Sequence, residues 1–565
     1  MEKKGALVPE LFRDLKGYSR ETFFKDLSAG IIVGIVALPL AIAFGIASGV
    51  SPTEGLMTAI VGGFLVSLLG GSKVQIGGPT GAFIVIVYGI IQQFGIGGLA
   101  LATLMAGILL VLLGVLRLGS LIRFVPYPII VGFTSGIAVT IFTTQVKDLL
   151  GLQIEALPGD FLGKWEAYFQ ALGSTSWLAL AFGGAAILLI VFAPKINKNI
   201  PGSLLALIVL TLVSVALGLC GVVRPENIGD RFTIEAGLPS IVVPEISLER
   251  IRMLLPSAFT IAMLGAIESL LSASVADGMI GSKHNSNMEL VGQGVANIVV
   301  PFVGGIPVTG AIARTMANIN NGGRTPVAGI IHAVVLLLIL LVLSPLTSHI
   351  PMAVLAGVLV VVSYNMSGWR SFLAIFRGPK GDALVMVVTF LLTVLLDLTV
   401  AIGVGMAMAA LILLKRVLDA SEITMIDGAE DNPEEPKLDL PECVEVYEIA
   451  GPFFFGIANR FDETMRAMKD EPRVRIIRMR QVPFIDSTAI HNLKMMIELH
   501  RKSNTQIILS GVQPKVMEVL RQSRVVQLLG EEYITPHIEL ARSRALEFLN
   551  HHYPEEYSMW KNEDR

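Results

Sequence analysis

The chain has 565 residues, of which 53% are hydrophobic and 16% charged, and its mean hydropathy is +0.68. So apolar a composition excludes an ordinary soluble protein of this length and predicts many membrane crossings. The net charge of −3 without a basic cluster gives no indication of nucleic-acid binding, and two distant cysteines, Cys220 and Cys443, exclude a disulfide framework.

Fourteen apolar segments follow a charged N-terminal stretch, residues 2–26. That stretch contains no small-residue cleavage site, so we expect the first segment to be retained rather than removed as a signal peptide. Several segments are shorter than the roughly 17 to 25 residues that cross a bilayer. The predicted segments are 27–47, 54–70, 79–93, 98–116, 126–146, 176–193, 202–220, 254–277, 289–302, 309–320, 326–348, 351–363, 383–397 and 399–416.

The lysines and arginines between the segments predict the orientation. If both termini lie in the cytoplasm, 18 of these residues fall on the cytoplasmic side and 6 on the outer side. The outer residues are Lys147, Lys164, Arg224, Arg231, Arg250 and Arg252. Because short cytoplasmic loops are enriched in lysine and arginine, this asymmetry favours an even number of crossings.

One short phrase occurs twice inside these segments. Residues 77–83 read Gly-Gly-Pro-Thr-Gly-Ala-Phe, and residues 304–311 read Gly-Gly-Ile-Pro-Val-Thr-Gly-Ala. Broken backbone inside a membrane is tolerated only where protein or a water-filled cavity surrounds it, and paired breaks in two halves of a chain indicate a transport site.

The two halves are predicted to be inverted relative to each other. The polar stretch 221–249 divides the segments into two sets of seven, and an odd number makes the second set enter the membrane upside down. The spacing agrees, since Pro39 precedes Thr80 by the same number of residues as Glu268 precedes Thr309.

Each phrase predicts a short extended strand followed by a helix that begins near Thr80 or Thr309, with both threonines as suitable N-caps. The inversion would bring the two helix starts together near the midplane. Their free amides and positive dipole ends would form an anion site from backbone. Arg314, about one turn inside the second helix, adds a full positive charge; alternatively, it pairs with Glu268 to tie two helices together.

Three further side chains are candidates for the same site. Glu268 lies in an otherwise apolar segment, and protonation there would cancel a charge that repels the anion. It therefore suits proton coupling, although a structural salt bridge or a sodium ligand stays open. Leu40 and Phe44, after a predicted break at Pro39, would supply an apolar wall, with simple helix packing as the alternative.

After Lys415 the composition becomes charged and mixed, and the acidic linker 427–435 marks a domain boundary. Beyond it, strands and helices alternate, which indicates a small α/β domain with a central sheet. The predicted strands are 444–449, 474–479 and 506–510, and the predicted helices are 461–468, 487–500, 514–522 and 537–549. This domain shows no recognisable phosphate loop, metal cluster or catalytic triad, and neither a cofactor nor a metal is expected.

The phrase Phe-Ile-Asp-Ser-Thr-Ala at 484–489 stands at a predicted strand-to-helix junction. It resembles the STAS domain that sulfate transporters share with anti-sigma factor antagonists. In the antagonists a hydroxyl residue after the Asp accepts phosphate, so the resemblance implies Ser487 or Thr488 as a possible regulatory phosphosite. A plain helix cap by Asp486 or Ser487 explains the same residues and is the favoured interpretation.

The membrane part resembles the sulfate permease (SulP) family of anion transporters. The motifs that carry the resemblance are 37–44 (ALPLAIAF), 77–83 (GGPTGAF), 132–136 (GFTSG), 265–270 (GAIESL) and 311–315 (AIART). Within the family, residues 263–271 and 289–294 look most like the bacterial C4-dicarboxylate (DauA) branch.

This resemblance implies a fourteen-segment fold in which a core domain (segments 1 to 4 and 8 to 11) moves like an elevator against a gate domain (5 to 7 and 12 to 14). It also implies a homodimer, and a substrate held between half-helices three and ten. Carried over by residue, the substrate site comprises Leu40, Phe44, Thr80, Gly81, Ala82, Thr309, Gly310, Ala311 and Arg314, with Glu268 for ion or proton coupling. Some members have a polar residue where Leu40 stands, so hydrogen bonding from that position is not expected here.

The predicted protein is therefore a polytopic α-helical membrane protein, a 7+7 inverted repeat with a C-terminal cytoplasmic STAS domain. Its predicted parts are an N-terminal segment (1–26), repeat one (27–220), a connection (221–253), repeat two (254–417), an acidic linker (418–439), the STAS domain (440–552) and a tail (553–565).

The predicted function is secondary active transport of a small anion, of the sulfate, bicarbonate or C4-dicarboxylate class, by proton symport across a bacterial cytoplasmic membrane. The expected partners are the anion, a proton or sodium ion, membrane lipid and a second copy of the chain, with no nucleic acid. Sodium-coupled or exchange-type transport, nucleobase transport and a membrane-anchored STAS signalling protein are the alternatives.

Overall fold

The computed structural model describes residues 7–120, 125–154, 157–196, 201–232, 245–396, 398–425, 439–458 and 472–563. The chain forms two compact units, Met1–Ala409 and Ala410–Arg565. The first unit is helical apart from one pair of very short strands, and the second is an α/β domain.

The helices of the first unit, including the one that leads into the second, are α1 Glu10–Asp14, α2 Arg20–Ala47, α3 Pro52–Met57, α4 Gly63–Leu69, α5 Ile84–Val115, α6 Tyr127–Leu150, α7 Phe161–Ala171, α8 Trp177–Ile196, α9 Gly202–Leu219, α10 Ile228–Arg231, α11 Leu248–Ile280, α12 Ser286–Val299, α13 Ile312–Asn320, α14 Val327–Thr347, α15 Met352–Met366, α16 Trp369–Phe376, α17 Lys380–Leu395 and α18 Leu398–Asp419. Each of the fourteen predicted segments coincides with helix in the described residues. Among those residues, eight helical segments are long and apolar enough to cross a membrane singly. Of the other predicted segments, 289–302, 309–320 and 383–397 form helices of 14, 9 and 16 residues, which are shorter than a full crossing.

Helix α5 contains both the third and the fourth predicted segment. Its two parts meet at Gly95, where φ is +71° and the backbone leaves the helical conformation. Glycine adopts positive φ without the steric cost that a side chain brings, so this position can hold the bend between a half-helix and a full crossing.

Helix α2 runs without interruption through Pro39, so the predicted break at that residue is wrong. A membrane helix tolerates an internal proline where neighbouring helices surround the freed backbone groups. Here α14 packs closely, since a Cβ added at Gly30 or Gly34 would overlap Ile331 or Val335. Close packing against α14 therefore helps to stabilise α2 as one continuous helix with Pro39 inside it.

The two repeated phrases meet as strands, which confirms the prediction that each contains a short extended segment. Strand β1, Gly77–Gly78, pairs antiparallel with β2, Thr309–Gly310, so that Gly77 lies opposite Gly310. Beyond the pair, the Ala311 amide donates a hydrogen bond to the Ile76 carbonyl at 2.9 Å. Residues far apart in sequence thus form one local backbone structure.

The second unit contains β3 Glu422–Met425, β4 Val444–Ala450, β5 Val474–Gln481, α19 Ser487–Lys502, β6 Gln506–Ser510, α20 Pro514–Gln522, α21 Val525–Leu529, β7 Ile534–Thr535, α22 Ile538–His552 and α23 Pro554–Glu563. Its sheet has the order β3-β4-β5-β6-β7, with β3 antiparallel to β4 and the remaining neighbours parallel. The central sheet and the alternation of strands and helices are as predicted. The predicted helix 461–468 and linker 427–435 lie outside the described residues.

Candidate functional site

A cavity of about 410 Å³ lies beside the strand pair in the membrane unit. Its walls come from α2, from the turn that precedes α5, from α11 and α13, and from α6 and α15. Most lining side chains are apolar, and the charged ones among the described residues are Glu268 and Arg314. The cavity is therefore an apolar chamber with one potential anion and one cation in its wall.

Most of the predicted site residues meet at this cavity. Lining it are Leu40, Phe44, Thr80, Gly81, Ala82, Glu268, Ala311 and Arg314. Thr309 and Gly310 are buried in β2 and do not line it. The Thr309 hydroxyl instead donates to the Gly265 carbonyl at 2.9 Å, which ties β2 to α11.

The two helix starts differ from the prediction in their caps. Thr80 stands at the N-cap position of the 3₁₀ turn Gly81–Phe83 without a side-chain cap bond, and its hydroxyl donates to Glu268 at 2.9 Å. Thr309 is held in the strand pair, so α13 begins only after Ala311. Thr80 is therefore at the predicted N-cap position but makes no side-chain cap, because its hydroxyl binds Glu268. The prediction for Thr309 was wrong, because strand pairing holds that residue and Ala311 is the N-cap of α13.

The helix starts nonetheless present backbone donors to the cavity. In the first turn of a helix the amides have no intrahelical carbonyl, and the positive end of the helix dipole lies there. Gly81 and Ala82 occupy this position at one start, and Ile312 and Ala313 at the other, and all four line the cavity. Such amides bind anions readily.

Arg314 is held by backbone carbonyls. Only 2% of the residue is exposed, and its Nη2 donates to the Pro79 carbonyl while Nη1 donates to the Gly77 carbonyl at 3.5 Å. Among the described residues, no ion pair joins Arg314 to Glu268 within 4.0 Å. The guanidinium thus ties α13 to the β1 strand of the other repeat and leaves its positive charge at the cavity wall.

Gly78 makes this arrangement possible. A Cβ added there would overlap the Arg314 guanidinium, and the φ of Gly78 is +154°. A side chain larger than hydrogen would push the guanidinium away from the carbonyls of Gly77 and Pro79. The glycine of the repeated phrase is therefore required for close approach.

Glu268 faces the cavity from α11 between the apolar side chains of Leu264, Ile267 and Leu271. In the described part of the chain, its carboxylate accepts a hydrogen bond from the Thr80 hydroxyl. A carboxylate with one hydroxyl donor and no ion pair is costly to hold in an apolar setting, which makes the group sensitive to any cation or proton that reaches it.

A second carboxylate, Glu289 of α12, holds the backbone that leads into β1. It is completely buried, and its Oε2 accepts from the amides of Gly71 and Ser72 at 2.9 and 3.1 Å. Its Oε1 accepts from Gln75 at 2.8 Å and from Ser269 at 3.0 Å. Sequence reasoning assigned Glu289 no role, although a carboxylate in a predicted membrane segment was the available signal.

Sequence reasoning also missed the wall that faces the two helix starts. From α6 come Ile130, Phe133, Thr134 and Ile137, and from α15 come Val362, Asn365 and Met366. Asn365, the polar residue that follows an apolar run, was the detectable signal. The apolar wall residues carry no such signal, because they look like any helix-packing residue.

Two profile matches decide the family. The model of the sulfate permease family matches residues 23–389, and the STAS domain model matches residues 436–541. The chain belongs to the sulfate permease family. It is thus a multi-pass membrane transporter of anions and not an enzyme, with a C-terminal STAS domain, as the sequence motifs predicted.

Named relatives agree over nearly the whole length. The putative sulfate transporter YvdB of Bacillus subtilis is 41% identical over 92% of this chain and 98% of its own. The bicarbonate transporter BicA of Picosynechococcus is 35% identical over 88% of this chain and 89% of its own. The structure of murine Slc26a9 superposes with a TM-score of 0.86, covering 96% of this chain and 94% of that one at 20% identity, which shows a shared fold.

In the STAS domain of this sulfate permease family member, the cap interpretation of the Asp-Ser-Thr phrase is confirmed. The Asp486 side chain accepts from the amide of Ala489 at 2.8 Å and from that of Phe455 at 3.1 Å. Ser487 is exposed and Thr488 half-buried at the first turn of α19. Phosphorylation of either hydroxyl stays a prediction.

Proposed function

We propose that this protein is a proton-coupled secondary transporter of a small anion, which binds in the 410 Å³ cavity. One observation carries the proposal: two helix starts and the guanidinium of Arg314 converge on the same chamber as Glu268. No bond of the substrate is made or broken. Binding, orientation and a change of access are all that the proposed activity requires.

Anion binding is assigned to the backbone amides of the two helix starts, supported by Arg314. Gly81 and Ala82 offer amides from one repeat, and Ala313 and Ile312 from the other. Helix dipoles and a guanidinium raise the affinity for negative charge without selecting a shape. Leu40 and Phe44 supply the apolar wall against which the anion packs.

Proton coupling is assigned to Glu268. An ionised Glu268 opposes an anion in the same chamber, and a proton on its carboxyl group removes that opposition. Joint binding of anion and proton then becomes favourable, which is what symport requires. Sodium at the same carboxylate, or exchange without a coupling ion, would be separate outcomes of the experiment below.

Access is assigned to an elevator-type movement of core against gate. Two features support this assignment. The two halves of the membrane unit are inverted repeats, and the cavity lies between two groups of elements, with α13 and the turn before α5 on one side and α6 and α15 on the other. We infer a homodimer in a bacterial cytoplasmic membrane with both termini in the cytoplasm, which the excess of lysine and arginine on that side supports.

The substrate classes proposed are sulfate, bicarbonate and C4-dicarboxylates. The names of YvdB and BicA support the first two, and the resemblance of residues 263–271 and 289–294 to the C4-dicarboxylate branch supports the third. A panel of labelled sulfate, bicarbonate and succinate, with uracil as the neutral control, would be tested in proteoliposomes with imposed pH or sodium gradients. If none of the three anions enters, the proposed function is wrong.

The coupling role is tested with Glu268→Gln, which keeps the shape and an acceptor for the Thr80 hydroxyl. We expect accumulation driven by the pH gradient to fall to the level without a gradient, and anion exchange to stay within about twofold of wild type. Glu21→Gln, which changes an exposed glutamate paired with Lys25, is the control. Persistent proton-driven accumulation in Glu268→Gln would refute the coupling assignment.

The binding role is tested with Arg314→Ala and Arg314→Lys. A charged hydrogen-bond donor contributes about 1.5 to 3 kcal/mol, so Arg314→Ala should weaken anion binding by roughly 10- to 100-fold. If charge is what matters, Lys restores most of the affinity. If the tie to the β1 carbonyls is what matters, Lys fails as Ala does, and unchanged affinity in both variants would remove Arg314 from the site.

A further inference from the structure

Two further cavities, of about 190 and 370 Å³, lie in the membrane unit and share no lining residue with the central one. Both are lined by Tyr88 of α5, Thr144 of α6 and Lys164 of α7. The lysine and arginine asymmetry assigns this end of the protein to the outer face of the membrane. The pair of cavities is called the outer chamber below.

Lys164 is unusual because it is buried and, among the described residues, makes no direct contact with a carboxylate. Only 4% of the residue is exposed, and its ammonium lies over the Tyr88 ring, 5.2 Å from the ring centroid. In the described part of the chain, no carboxylate oxygen lies within 4.0 Å of it. Asp160, which also lines the outer chamber, accepts from the Gly163 amide at 2.7 Å as the N-cap of α7.

The other charged side chains of the outer chamber that the structure describes are already engaged. Arg231 binds Asp148 at 2.7 Å and Glu226 at 2.6 Å. Lys147 donates to the Ile154 carbonyl at 2.6 Å. A buried cation that no carboxylate contacts directly is costly, so an anion that enters this chamber would gain an ion pair with Lys164, against the repulsion of the Asp160 carboxylate in the same wall.

The outer chamber also lies next to the central cavity along the same helices. On α6, Ile137 lines the central cavity and Thr140 lines the outer chamber, less than one helical turn of about 5.4 Å apart. Phe44 of the central cavity wall belongs to the same buried apolar cluster as Phe83 and Ile141. Each of the two neighbouring spaces therefore has a cationic side chain in its wall, Arg314 in the central cavity and Lys164 in the outer chamber.

We propose that the outer chamber is a second anion site, in which Lys164 holds a small oxyanion or carboxylate before it passes to the central cavity. The amides of Gln92 and Gln93 and the hydroxyl of Ser257, which line the larger cavity, offer further donors. This inference rests on the proposed function, because the ligand is the transported anion.

The test compares Lys164→Gln with Lys147→Gln in right-side-out and inside-out vesicles, with labelled sulfate and labelled bicarbonate as probes. Both variants remove one positive charge from the same chamber, but the Lys147 ammonium is bound to a carbonyl. We expect Lys164→Gln to raise the KM for entry from the outer face about tenfold, as loss of one charged contact does. The KM from the inner face and the maximal rate should not change, and Lys164→Arg should restore the outer KM.

Three results would overturn the inference. The outer KM could stay at its wild-type value in Lys164→Gln, the KM could rise equally at both faces, or Lys147→Gln could raise the outer KM as much as Lys164→Gln. The third result would indicate a general electric field and no site. If the wild-type protein transports neither probe nor succinate, the proposed function fails and this inference fails with it. If the wild-type protein transports a probe and Lys164→Gln has the same outer KM, only this inference is overturned.

Discussion

Substitution of Gly78 by alanine perturbs the candidate site with a single added methyl group. The methyl group would overlap the Arg314 guanidinium, which must then leave the carbonyls of Gly77 and Pro79. A hydrogen bond from a charged donor contributes about 1.5 to 3 kcal/mol, so one close bond and one long bond together represent about 2 to 4 kcal/mol. We expect Gly78→Ala to lower the unfolding temperature by several degrees and to reduce anion uptake as strongly as Arg314→Ala.

The matched control is Gly184→Ala, in α8 of the same repeat. A Cβ added at Gly184 meets no atom within 4 Å, and alanine in a helix is more favourable than glycine by about 0.5 to 1 kcal/mol. That variant should keep or slightly raise the unfolding temperature in detergent and should keep wild-type uptake. If Gly78→Ala has the same unfolding temperature and the same uptake as the wild type, the position of the Arg314 guanidinium does not depend on its close approach to Gly78, and this prediction is refuted.

Two further predictions concern the threonine pair and the STAS domain. Thr80→Val removes the hydroxyl that donates a hydrogen bond to Glu268. Because a hydrogen bond to a charged group contributes about 1.5 kcal/mol or more, we expect gradient-driven accumulation to fall about tenfold. Thr309→Val, which removes a bond to a carbonyl of α11, should keep the accumulation ratio, and equal effects of the two variants would contradict the assignment. Asp486→Ala should destabilise the STAS domain by about 1 kcal/mol through loss of the helix cap, measured by denaturant unfolding, whereas Ser487→Ala should not.

Most of the fold could be predicted from the hydropathy, periodicity and composition of the sequence. The apolar segments, the change of composition after Lys415 and the alternation of strands and helices in the tail each reflect local physical chemistry, because bilayer thickness and side-chain periodicity act on neighbouring residues. The strand-then-helix form of each repeated phrase followed in the same way from Pro79 and Pro307, which delay the start of a helix.

Features that depend on partners distant in sequence could not be derived in this way. The continuity of α2 through Pro39 depends on α14, which packs against Gly30 and Gly34. The outer chamber depends on α7, a short helix between membrane segments whose lysine has no distinguishing pattern in the sequence.

From the amino-acid sequence alone, the repeated phrase already indicated two facing helix starts, a cationic arginine and a carboxylate in one site. The tertiary structure decided how these groups are used. Antiparallel pairing of β1 with β2 buries Thr309 and frees Thr80 to bind Glu268, and it brings Arg314 onto the carbonyls of the opposite repeat. The reason is physical: hydrogen bonds at broken backbone depend on which strands pair and in what register, and neither is encoded in local sequence pattern.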